Sequence, residues 1–186
     1  VLGAFHLGSD SLARAQGRLT EETMAATDWQ LVGLTPNEDG TLTTMDGDPQ
    51  MILENVGDRV VRTISYTAQF DGEARELCLY YTTKVGEDYS ADRRVFPRSV
   101  GEGRYIYTLP RTSLAALRLD PCSPEENKTV TLTMSSITLN AADTLPHFWQ
   151  YFVPNWYQAF CLVLYPALAA AAVSMAAAIV PGRKRN

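Results

Sequence analysis

Between residues 28 and 139 apolar and polar side chains alternate with a period of two, in short runs divided by Gly, Pro, Asn and Asp. That pattern predicts half-buried β-strands. In the run 60–70, Ile64, Tyr66, Ala68 and Phe70 alternate with Thr63, Ser65, Thr67 and Gln69, which predicts one apolar face and one wet face; Arg62 interrupts the apolar set near its beginning. Leu77, Leu79 and Tyr81 form one face of the run 76–83, Tyr105, Tyr107 and Leu109 one face of the next clear strand, and Leu117 with Leu119 follow after Pro110. In the run 128–139, Val130, Leu132 and Met134 fall on one parity and Ile137 with Leu139 on the other. One extra residue near Ser135-Ser136 restores a common face, which is what a β-bulge does. Weaker strands at 29–34, 42–45, 50–53 and 94–96 bring the total to eight or nine. The expected fold is all-β, a two-sheet antiparallel β-sandwich or jelly roll occupying residues 28–142.

The pattern changes at both ends. Residues 159–180 are 22 positions without a formal charge, followed by Arg183-Lys184-Arg185. At 1.5 Å per residue such a helix reaches about 33 Å, enough to cross a hydrocarbon core of about 30 Å. Trp149, Tyr151, Phe152, Trp156 and Tyr157 crowd its entry side at headgroup depth, and the basic cluster marks its exit side as cytoplasmic. The expected organisation is an interfacial linker at 143–155, a transmembrane helix at 156–180 and a basic cytoplasmic tail at 181–186. The domain then lies outside the cytoplasm at the plasma membrane. Pro166 predicts a kink, and the alanine-rich stretches permit close approach of partner transmembrane helices. Before the sandwich, Leu12, Ala15, Leu19 and Met24 give 9–27 a weak helical pattern. Residues 1–27 read as a stalk, or as the outer end of a preceding transmembrane helix in a longer protein, with removal of a signal peptide as the other source of the apolar start.

Composition sharpens the choice of partner. The chain has 186 residues and a formal charge of −5; without Arg183, Lys184 and Arg185 there are 13 basic against 21 acidic residues, a balance of −8. An acidic surface disfavours nucleic acid and anionic lipid headgroups. Of the three cysteines, Cys161 lies in the apolar helix, so only Cys78 and Cys122 offer a bridge; Cys78 alternates with inward-looking Leu77 and Leu79 and otherwise faces out of its strand. His6 and His147 stand at opposite ends of the domain, and no HExxH, Walker or dinucleotide motif occurs, so the chain is expected to be non-catalytic on its own. Asn127-Lys128-Thr129 fits an N-glycosylation acceptor.

Asp46-Gly47-Asp48-Pro49-Gln50 before an apolar strand, Tyr80-Tyr81-Thr82, and Leu109-Pro110 followed by Leu117-Arg118-Leu119-Asp120-Pro121 resemble the galactose-binding-like jelly-roll domains attached to bacterial membrane proteins and to glycosyltransferases of surface polysaccharide synthesis. The likeness covers residues 28–140 and implies a carbohydrate-binding or accessory role.

The residues offer specific chemistry for that role. Trp29, Tyr80 and Tyr81 present aromatic faces for sugar stacking, although Tyr81 also suits the core and Trp29 a plug at one end of the sandwich. Arg118 and Asp120 share a strand face, where they either bond sugar hydroxyls or pair with each other. Asp46 and Asp48 share a tight turn, which either helps hold a structural calcium ion or is simply a solvated turn; no other cofactor is expected. The candidate ligand-binding set is therefore Trp29, Asp46, Asp48, Tyr80, Arg118 and Asp120. The expected function is a membrane-tethered, extracytoplasmic, carbohydrate-binding domain of an envelope protein. Its rivals are a structural protein-interaction module without a small ligand and a glycosidase-like enzyme using two facing carboxylates, Asp46 with Glu76 or Asp120.

Overall fold

The computed structural model describes residues 2–126, 128–154 and 156–179. Helix α1 spans Leu2–Ala15. The strands that follow are β1 (Glu22–Met24), β2 (Gln30–Val32), β3 (Leu34–Pro36), β4 (Leu42–Thr44), β5 (Gln50–Leu53), β6 (Thr63–Phe70), β7 (Cys78–Thr82), β8 (Arg94–Val95), β9 (Arg98–Ser99), β10 (Arg104–Thr108), β11 (Ala116–Asp120), β12 (Thr131–Met134) and β13 (Ile137–Leu139). A 3-10 turn at Phe148–Phe152 leads into helix α2, Trp156–Ile179.

Among the described residues all strand pairs are antiparallel and fall into two sheets of eight and five strands. In the larger sheet β6 is central: β10 and then β9 lie on one edge, and β12 with β13 share the other. Beyond them β4 and β3 extend from β12, and β1 extends from β13. The smaller sheet runs β2-β5-β11-β7-β8. The fold is thus the expected all-β sandwich followed by an apolar helix, its strands divided more finely than the hydrophobic pattern implied.

Two of those divisions have clear causes. Gly33, with φ of 63°, separates β2 from β3, so the single run 29–34 becomes strands in different sheets. Met134 pairs with Ala68 but Thr138 pairs with Ser65, so the β12–β13 side carries one residue more than β6. This is the bulge expected at Ser135-Ser136. The Thr67 N–H donates to Ser135 Oγ at 2.8 Å and the Ser135 N–H returns to the Thr67 carbonyl at 2.8 Å, so the irregular step keeps its backbone bonds. Its effect is that Leu132 on one side and Ile137 and Leu139 on the other all enter the core.

The core between the sheets joins Ile64, Tyr66, Tyr107 and Leu132 to Met51, Leu79, Leu117 and Leu119, all buried. Removing a side chain of this size from water contributes about 1.5–3 kcal/mol each. Tyr66 and Tyr107 pair their hydroxyls at 3.1 Å inside the core, which satisfies groups that burial would otherwise penalise. The opposite face of β6 is not wholly wet: Thr63 and Ser65 are buried, and the Thr63 hydroxyl meets the Thr144 hydroxyl at 2.6 Å because the chain after β13 returns over this face.

The N-terminal segment is shorter as a helix and more integrated than its pattern suggested. The Arg18 N–H bonds the Ala13 carbonyl at 2.9 Å and the Gly17 N–H bonds the Arg14 carbonyl at 3.0 Å, with Gly17 at φ of 67°; this Schellman ending stops α1. Leu19 is buried just beyond it, and residues 22–24 form β1 instead of continuing a stalk. Asp10 of α1 is fully buried. It accepts from Arg62 Nε at 3.0 Å, from both Arg111 Nη atoms at 2.7 Å and from the Tyr151 hydroxyl at 2.8 Å. One carboxylate thus joins α1, the sandwich and the segment leading to α2.

Helix α2 runs through Pro166 and is long and apolar enough to cross a membrane. Trp149, Trp156 and Tyr157 are exposed near its start. The basic cluster 183–185 and Asn127 of the glycosylation triplet lie outside the described residues.

Candidate functional site

Strand alternation decides which side chains reach the outer face of the five-stranded sheet. Met51, Leu79, Leu117 and Leu119 turn inward, so Gln50, Ile52, Cys78, Tyr80, Arg118 and Asp120 turn outward. Register then aligns them. Arg118 lies opposite Ile52 on one side and Tyr80 on the other, Tyr80 lies opposite Arg94, and Asp120 lies opposite Cys78. The result is a row, Ile52-Arg118-Tyr80-Arg94, crossing four strands.

Arg118 organises the row. Its Nε and Nη2 donate to the two oxygens of Asp120 at 2.7 and 2.8 Å, and Nη2 also donates to Asp48 Oδ1 at 2.8 Å. Asp48 is delivered by the turn before β5. Its own N–H donates to Asp46 Oδ1 at 3.0 Å, and its Oδ2 accepts from Gln50 Nε2 at 2.6 Å. The Arg118 guanidinium carbon lies 5.1 Å from the Tyr80 ring centroid. On the far side Arg94 lies 5.9 Å from Tyr80 and 4.8 Å from Phe96, whose ring is 61% exposed. The arrangement is a platform of two aromatic rings and two guanidinium groups, bordered by carboxylates and an amide.

The electrostatics make the platform a fixed set of charges. Burial pulls the Arg118 pKa down, but its bonds to Asp120 outweigh this and leave it raised, so the guanidinium stays charged. Burial lifts the Asp120 carboxyl above its ordinary value, opposed by Arg118. Cys78 donates weakly to Asp120 Oδ2 at 3.8 Å, and burial together with that neighbouring charge pushes its thiol up to about 11. Cys78 is a protonated packing residue, since the thiolate is the reactive form. Burial likewise pushes Cys122 to about 11, and both cysteines are free.

Of the six residues singled out in the sequence, Asp48, Tyr80, Arg118 and Asp120 come together, and Asp46 supports them through the turn. Trp29 does not join them: it is buried in the core, its Nε1 without a hydrogen-bond partner. The pairing of Arg118 with Asp120 is present, and Asp48 adds to it. Arg94, Phe96 and Gln50 belong to the platform but were not legible as site residues, because only strand register places them beside Tyr80.

The turn carboxylates are occupied by protein donors. Among the described residues no three His, Cys, Asp or Glu converge as a metal site would require. Asp48 and Asp120 hold one guanidinium between them, an ion-pair arrangement unlike two carboxylates facing across an open cleft.

No protein-family model and no curated protein matches the chain. Among solved structures, it is similar to a low-affinity xylan-binding module, CBM86, from the xylanolytic gut symbiont Roseburia intestinalis. The identity is 16%, the TM-score 0.40, and the match covers 64% of this chain and 94% of the other.

Proposed function

We propose that the chain is a membrane-tethered domain that binds carbohydrate on the outer face of its five-stranded sheet, on the extracytoplasmic side of a cell envelope. The observation that carries this reading is the Tyr80 ring set between Arg94 and Arg118, with exposed Phe96 beyond it and Asp48, Gln50 and Asp120 alongside. Sugars present apolar C–H faces and polar hydroxyl edges. A flat aromatic surface receives the first, while fixed charged groups exchange strong hydrogen bonds with the second. An open platform admits a long chain at any point along its length, and its affinity per site is modest. Attachment through α2 offsets that weakness by concentrating many copies on one surface.

The test is a glycan array probed with the full chain in detergent micelles, followed by titration of the best ligand. Tyr80→Ala and Phe96→Ala are each expected to weaken binding about three- to tenfold, since an aromatic contact is worth about 0.5–1.5 kcal/mol. Absence of glycan binding at millimolar concentration rejects the reading in favour of a protein-interaction module.

A further inference from the structure

Two hollows that share Gln150, Val153 and Pro154 lie where α2 adjoins the sandwich, and cationic side chains line only the second. The first is a groove of about 710 Å³ between the start of α1 and the first half of α2, lined by Leu2, Phe152, Leu162 and Tyr165. At Gln150, Val153 and Pro154 it meets a second hollow of about 610 Å³, whose walls include Arg62, Arg111, Thr63 and Thr108. Both volumes suit a small-molecule site.

The charge at the sandwich end is unlike that of the chain as a whole. Arg62 and Arg111 share a single carboxylate, Asp10, so the trio keeps one net positive charge. Arg62 commits only Nε to Asp10, leaving Nη1 and Nη2 for another acceptor. The same two arginines border a third hollow, of about 600 Å³, together with Arg18, which bonds neutral Gln16, with Arg59, which pairs with Glu22, and with Asp58. A negatively balanced chain thus places two arginines on one carboxylate close to where the sandwich adjoins its apolar helix. His6, on the groove wall, has its pKa lowered by burial and then by the charge of Arg111.

We propose that these two hollows bind an anionic phospholipid of the surrounding leaflet, with an acyl chain in the α1–α2 groove and the phosphate at Arg62 and Arg111. The proposal rests on the reading of α2 as a membrane span. It also revises the expectation from composition that acidic character disfavours anionic headgroups. The net charge of a chain does not describe its local field, and the residues nearest the bilayer dominate that interaction.

The full chain is first reconstituted into vesicles and washed at alkaline pH; release from the vesicles overturns both the span and the lipid site. Retained protein is then delipidated in detergent, offered equal phosphatidylglycerol and phosphatidylcholine, and examined by native mass spectrometry. Phosphatidylglycerol is expected to be retained preferentially. Arg62→Gln should reduce that preference about fivefold, the effect of losing one basic residue near the lipid phosphate. Arg62→Lys should preserve it, and Leu162→Trp, which fills the groove away from the charges, should reduce retention of both lipids. Equal retention of the two lipids, a preference unmoved by Arg62→Gln, or a total retention unmoved by Leu162→Trp overturns the site. Binding of inorganic phosphate without phosphatidylglycerol retention assigns the arginines to a free anion and overturns it as well.

Discussion

At the scale of single residues, Asp10 carries the greatest structural consequence. Its carboxylate is fully buried and holds two guanidinium groups and a phenol. Asp10→Asn leaves those cations short of their counter-charge, for which about 3–5 kcal/mol is the usual cost, so the thermal midpoint should fall by roughly 10 °C. Burial alone would raise the Asp10 pKa, but the bonds from Arg111, Tyr151 and Arg62 prevail and bring it from 3.8 to about 2. Because the folded-state value is the lower one, this stabilisation is complete above the unfolded value and is lost as pH falls from about 4 through 2. At about 1.4 kcal/mol per pKa unit it amounts to roughly 2.5 kcal/mol, measurable as a steeper acid limb in wild type than in Asp10→Asn. None of this was legible beforehand, because the partners of Asp10 stand 52, 101 and 141 residues away in the chain. Asp46 and Asp48 give the converse case. Their sequence left a calcium-holding turn and a plain solvated turn both open; because Asp48 accepts from Arg118 and Gln50, calcium titration is expected to leave the thermal midpoint unmoved.

At the scale of elements, strand alternation was legible wherever one face met the core and the other met water. The parity change in 130–139 located a bulge to within two residues, because a pleat with a period of two leaves no other way to bury Leu132, Ile137 and Leu139 together. Deleting Ser135 removes the extra residue, so the Met134–Ala68 and Thr138–Ser65 registers join without interruption and Ile137 and Leu139 still face inward. Only the bonds made by Ser135 itself are lost, at about 1 kcal/mol each, so the deletion variant should fold and resist protease much as wild type does, and digestion under conditions that spare wild type would mean that Ser135 is not the extra residue. Pairings between distant strands were not legible in the same way. Arg118 and Asp120 share a face by spacing alone, but their meeting with Tyr80, and that of Tyr80 with Arg94, depends on β11 and β8 both lying beside β7. The start of the chain misled for a related reason: Leu19 and Met24 fit a helical period, yet Gly17 ends α1, Leu19 is buried beyond that end, and Met24 packs on the sandwich core from β1.

At the scale of the whole molecule, the proposed function would set an open sugar-binding sheet face beside a helix that holds many copies in one plane. Asp10 makes that relation mechanical, since it bonds at once to Arg62 and Arg111 of the sandwich and to Tyr151, five residues before α2 begins. If the proposed function holds, this join would limit swinging of the domain, so that neighbouring platforms on a membrane share an orientation and one polysaccharide can engage several of them. Each additional contact is then intramolecular, with an effective concentration in the millimolar range for short connections and an avidity gain of about 10²–10⁴ without any new contact. Vesicles carrying the full chain at increasing surface density should therefore bind a long polysaccharide with steeply rising apparent affinity, while a short oligosaccharide that fills one platform binds equally at every density. Asp10→Asn, by loosening the join, should flatten the density dependence for the long ligand and leave the oligosaccharide affinity as it was. Surface plasmon resonance on captured vesicles separates these outcomes. Equal density dependence for long and short ligands would mean that tethering contributes nothing to recognition.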